Sequence, residues 1–282
     1  MTPTVERMSP AVKLAAFGIV LALVFGAAAL AGDTIGPDRS GDARSGGHSG
    51  EAAAAPVRGL AVAGEGLTLA LETTELQPGR PSELRFSIRG PGGRPLRDFE
   101  VEHESRMHLI LVRRDGHGFQ HLHPQLDAGG TWSVPVTVDD AGAYRVFADF
   151  KHDGEARTLA ADLGVDGAAD YRALPRPSLT AHAGEGYEVR MDAGDVRAGR
   201  EADLRFTITR GGEAVEAEPY LGARGHLVAL REGDLAFLHV HPSGDSVAFA
   251  SEFPTAGRYR LYLQFRHDGR VHTAAFTREV AR

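Results

Sequence analysis

The chain of 282 residues contains no cysteine. That absence excludes disulfides, thiolate metal sites, iron–sulfur clusters and blue-copper centres, all of which need sulfur from cysteine. Excess basic charge is missing too. Lys and Arg number 31 against 38 Asp and Glu, a formal charge of −7, so the positive footprint of a nucleic-acid partner is not there. The sequence shows no G-x-S-x-G elbow, no phosphate loop and no acid pair set by spacing, and it is read as a non-enzyme. Imidazole and carboxylate are left as the strong ligands.

What is present is a repeat. Met107–Pro124 reads MHLILVRRDGHGFQHLHP and Gly225–Pro242 reads GHLVALREGDLAFLHVHP. Each copy carries one His, then His-x-His-Pro thirteen residues later: His108, His121 and His123 against His226, His239 and His241. A second echo follows, Tyr144–Gly154 (YRVFADFKHDG) against Tyr259–Gly269 (YRLYLQFRHDG), which adds His152 and His267. Neutral imidazole is the commonest protein metal ligand. Four histidines kept at matching places in two diverged copies point to a site made twice.

The apolar run Leu14–Leu30, with Arg7 and Lys13 before it and acidic residues after it, reads as a signal peptide or membrane anchor over residues 1–31. The basic flank puts the bulk of the chain outside, either held on the cell membrane by a single pass or secreted. Residues 32–63 read as a flexible Gly-, Ser- and Asp-rich spacer. Two modules are expected beyond it, 64–168 and 184–282, joined by a Pro-bearing linker over 169–183. Short alternating strands between Gly, Pro and Asp turns, without a long amphipathic helix, predict an all-β chain. Its form would be two tandem Ig-like or cupredoxin-like antiparallel β-sandwiches.

A hand register places the histidines. Pairing Leu230 with Leu235 sets His226 opposite His239, with His241 on the same face; pairing Val112 with His117 sets His108 opposite His121, with His123 beside them. Directly opposed Cβ atoms lie about 4.5–5.5 Å apart, so three imidazoles converge in each module. His152 and His267 end core-facing rows and are carried as fourth ligands. His272 is accessory at most, and His103, on a regular strand, should face away. Without thiolate, such sites suit Cu(II) first and Zn(II) second.

The signatures Met107–Pro124 and Tyr220–Pro242 resemble those of a poorly characterised family of exported or membrane-anchored actinobacterial proteins with paired β-sandwich modules. A looser similarity is to the exported copper carriers of the CopC and YtkA type, although the amino-terminal His of the CopC pattern is missing. The resemblance implies topology and an extracytoplasmic location. The expected function is binding or buffering of a divalent metal ion, with the membrane engaged through the N-terminal segment and an envelope protein left open as partner. The competing expectation is a cell-surface structural or protein-interaction module with structural histidines.

Overall fold

The computed structural model describes residues 57–238 and 240–282, His241 through its backbone alone. The run Leu14–Leu30, most of the spacer and His239 lie outside the described residues. Among the described residues, no helix is long and apolar enough to cross a membrane.

Module one contains β1 (Ala63–Gly64), β2 (Leu67–Leu71), β3 (Glu75–Leu76), β4 (Ser82–Arg89), β5 (His108–Arg113), β6 (Gln120–Leu122), β7 (Gln125–Leu126), β8 (Trp132–Val136), β9 (Gly142–His152) and β10 (Glu155–Val165). Module two contains β11 (Thr180–His182), β12 (Tyr187–Asp192), β13 (Glu201–Arg210), β14 (Glu213–Val215), β15 (His226–Arg231), β16 (Phe237–Leu238), β17 (His241–Pro242), β18 (Ala248–Glu252), β19 (Gly257–His267) and β20 (Arg270–Val280). The sheets run β1-β2-β4-β8-β7 and β3-β10-β9-β5-β6 in module one. In module two they run β11-β12-β13-β18-β17, with β14 on β13, and β16-β15-β19-β20. The long neighbours pair antiparallel, whereas β3 joins β10 in parallel.

The described residues are therefore all-β, two tandem Ig-like sandwiches, as the alternation predicts. Side chains alternate faces along a strand, so Tyr144, Val146, Ala148 and Phe150 of β9 enter one core while Tyr259, Leu261, Leu263 and Phe265 of β19 enter the other. Tyr144 donates its hydroxyl to the Asp140 carbonyl at 3.0 Å and Tyr259 to that of Thr255 at 2.9 Å, the corner bond of Ig-like sandwiches. The Asp-Gly pairs form the expected hairpin turns, with positive φ at Asp153, Gly154, Asp268 and Gly269.

The modules are not separate. All six residues of β5 are buried, because the strand faces a core on each side. Leu109 and Leu111 join the core of module one. Ile110 and Val112 join a further apolar cluster with Phe147, Val228, Leu230, Phe237 and Tyr262, drawn from both modules. Phe119 stacks on Tyr262 with centroids 4.0 Å apart, and the Tyr262 hydroxyl donates to the Gly116 carbonyl at 2.7 Å. The end of the expected spacer, residues 58–60, is bound at the same seam. Phe237 N donates to the Arg58 carbonyl at 3.0 Å, and Arg145 donates to the carbonyls of Gly59 and Leu60. A Cβ at position 59 would lie 2.8 Å from both Phe147 and Phe237, so only glycine fits.

The hand register needs correction. β5 and β6 pair Ile110 with His121 and Leu109 with Leu122, and β15 and β16 pair Leu230 with Phe237 and Ala229 with Leu238. Both ladders slip by two residues from the expected pairing. The loops take more chain than a minimal count allows: Leu235 adopts φ 58, and Gly116 and Gly118 adopt φ 75 and 61. A slip of two preserves side-chain parity. His108 and His121 are therefore not direct partners, yet they still share a face.

Candidate metal centre

His108 opens β5 on the same face as Ile110 and Val112, the face turned toward module two. β6 brings His121 onto that face opposite Ile110, and His123 follows two residues on. His108 Nδ1 lies 3.0 Å from His121 Nε2 and 3.3 Å from His123 Nε2. One ring nitrogen from each of the three falls within 4.8 Å of the others. Ring centroids are separated by 5.2 Å (108–121), 5.0 Å (108–123) and 4.8 Å (121–123).

The outer nitrogens fix the tautomers. His108 Nε2 is 3.0 Å from the Glu102 carbonyl, which can only accept; Nε2 therefore carries a proton, and in the neutral ring Nδ1 keeps a lone pair. His121 Nδ1 is 2.7 Å from Gln264 Oε1, while Gln264 Nε2 donates to Thr273 Oγ1 at 3.3 Å. In that orientation His121 donates from Nδ1 and presents a lone pair on Nε2. The assignment follows from these partners. The 3.0 Å contact then sets two lone pairs face to face, which no hydrogen bond between neutral rings satisfies.

Protonation is opposed by the surroundings. Burial, and after it the neighbouring His108 and His123, hold His121 well below the usual histidine range. Burial and then His108 push His123 down to about 4. The ring of His226 lies 5.9 Å from that of His108 and 5.8 Å from that of His121. It is pushed down to about 3 by burial, then by His108 and His103. Its Nε2 faces the Leu221 carbonyl at 3.4 Å, which leaves Nδ1 as the lone-pair nitrogen.

Sequence reasoning missed three participants. His103 does not face away: Glu102 and Ser105 close a turn with φ 47 at His103 and 62 at Glu104, the two positive values of a type I′ turn. This sets the His103 ring 5.3 Å from His226. Gln264 on β19 stands opposite His226, and Asp149 on β9 stands opposite His108. Asp149 accepts from Thr158 Oγ1 at 2.6 Å. It lines a cavity of about 40 Å³ together with His103, His108, His121 and His226. The signal was legible in retrospect, since unbroken apolar runs such as Leu-Ile-Leu-Val mark a strand buried on both faces.

His152 and His267 are not part of this cluster. Each shares its strand face with the core row of its module, so the sheet separates it from the interface. His152 Nδ1 meets the Asp98 carbonyl at 3.0 Å, and His267 Nδ1 meets the Tyr187 hydroxyl at 2.7 Å. Both are satisfied locally. His272 is buried and its Nε2 lies 3.3 Å from the His267 carbonyl. Of the second triad, His226 sits at the interface and turns toward the triad of the other module; His239 lies outside the described residues, and His241 is described only as pairing with Ala250.

The two-module repeat has a counterpart among known families. The family model for a domain of unknown function (DUF8832) matches residues 61–167 and again residues 181–282. The chain belongs to that family. No curated protein matches it. Among solved structures, a Salmonella alpha-2-macroglobulin reacted with methylamine is 13% identical, with a TM-score of 0.28, over 81% of this chain and 15% of that one. The Escherichia coli adhesin FdeC is 14% identical, with a TM-score of 0.27, over 77% of this chain and 64% of that one. A chimeric titin Z1Z2 is 15% identical, with a TM-score of 0.21, over 76% of this chain and 95% of that one. Likenesses this loose carry no functional information.

Proposed function

We propose that the chain is an extracytoplasmic binding or buffering protein for one divalent transition-metal ion, copper first and zinc second, held by His108 Nδ1, His121 Nε2 and His123 Nε2. The observation that carries the reading is the facing pair of lone pairs on His108 and His121, with their tautomers set by Glu102 and Gln264. A shared cation satisfies both. Nitrogens bound to one ion at 2.0–2.1 Å in a tetrahedral arrangement lie about 3.3–3.4 Å apart, close to the 3.0 and 3.3 Å seen here. Outer hydrogen bonds of this kind orient metal-binding imidazoles and raise their basicity. The depressed proton affinities of His121 and His123 keep both in the neutral, ligating form at pH 7.

Titration calorimetry and thermal unfolding of the protein with Cu(II) and Zn(II) test this. The expected outcome is one ion per chain and a rise in melting temperature that grows with free metal. His121→Ala, which removes the ring that Gln264 orients, should weaken binding by orders of magnitude. A wild type whose melting temperature ignores both metals rejects the reading.

A further inference from the structure

The ring spacings carry a step further, which rests on the three-histidine reading. Imidazoles sharing one tetrahedral ion at about 2.05 Å have centroids about 5.2 Å apart. The three rings of module one, at 4.8–5.2 Å, already match. His226, from module two, stands at 5.8 and 5.9 Å from two of them, roughly 0.6–0.7 Å beyond that spacing. Its Nε2 is turned to the Leu221 carbonyl, which reserves Nδ1 for another partner. Module two also supplies Gln264, the residue that fixes the His121 tautomer.

We infer that His226 is the fourth ligand, so that the ion is shared by both modules and pins them together at the seam formed by Ile110, Val112, Phe237 and Tyr262. The tandem repeat then builds one composite site at its own two-module interface. A divalent ion held by four neutral imidazoles, without a thiolate and without a position left open, is the donor set of a holding site. The His226 donor atom is not within 4.8 Å of all three others, so closure of the site requires the His226 ring to turn or β15 to slide against β5.

X-ray absorption spectroscopy of the full chain loaded with one equivalent of Zn(II) counts the imidazoles, and calorimetry gives the affinity. The wild type should show four imidazoles and His226→Ala three with one light-atom ligand, with affinity falling at least tenfold. His226→Gln, which keeps a donor near Leu221 and is a poor ligand, should behave alike if the alanine variant does not fold. An unchanged imidazole count and affinity in either variant would confine the ion to module one and overturn the shared site while leaving the three-histidine reading intact. A wild type that binds no Zn(II) and no Cu(II) overturns both.

Discussion

The two modules place the same trio at matching stations and use it differently. In module one, His108 on β5 stands opposite Asp149 on β9, and Thr158 donates to that carboxylate at 2.6 Å. In module two, His226 on β15 stands opposite Gln264 on β19, whose amide donates to Thr273 at 3.3 Å. The threonine is kept; carboxylate has become amide. The amide reaches across the seam and accepts from His121 Nδ1. A neutral acceptor fixes a neutral imidazole without adding charge to a buried site, whereas a carboxylate in its place would favour imidazolium. Among the described residues, module one supplies the three-ring cluster and module two its orienting partner.

The largest expected effect comes from breaking the seam itself. Phe237 is buried, with its ring 5.5 Å from that of Phe147 across the modules. Phe237→Ala should cost about 3–5 kcal/mol. It should also turn a single calorimetric unfolding transition into two, as each sandwich melts on its own core. A single transition at lower temperature would show that the modules cooperate through other contacts.

A smaller effect should appear on acidifying the metal-free protein. His123 at about 4 and His226 at about 3 lie below the ordinary 6.5, so the unfolded chain binds more protons than the folded one below about pH 6.5. Stability is then fully present above that value and falls with pH. Each of the two histidines contributes a slope of up to about 1.4 kcal/mol per pH unit. The loss should level off for His123 near pH 4 and for His226 near pH 3. Denaturant midpoints measured from pH 8 to pH 3 would show this, and His123→Gln should flatten the upper part of the curve. A midpoint that rises on acidification contradicts the neutral cluster.

The smallest effect sharpens the contrast between interface-facing and core-facing histidines. His267→Ala removes one hydrogen bond to Tyr187 and should cost about 1 kcal/mol, with metal affinity unchanged. A loss of affinity comparable to that of His121→Ala would return His267 to the site.

The all-β class, the two-module repeat, the Asp-Gly hairpins and the shared face of His108, His121 and His123 were legible in the sequence. Each depends on local periodicity or turn chemistry, and side-chain parity survives even a register slip of two. The wrong register in both hairpins came from loop length: turns with positive φ at Gly116 and Gly118 in module one and at Leu235 in module two take more chain than a minimal count allows. The fourth-ligand reading of His152 and His267 failed on a tertiary fact. Parity shows that they differ in face from His108, but only the packing shows which face meets the other module. His103 lacked a histidine in the second copy, and its inward turn depends on two left-handed residues in succession. Gln264 carries no metal signature at all; it acts through one hydrogen bond from 143 residues away. The sequence determined two sandwiches with histidines at matching ends, because alternation and turns are encoded locally. Only the tertiary structure decided that these ends meet, because burying the second apolar face of β5 and β15 requires each module to be the other's cover.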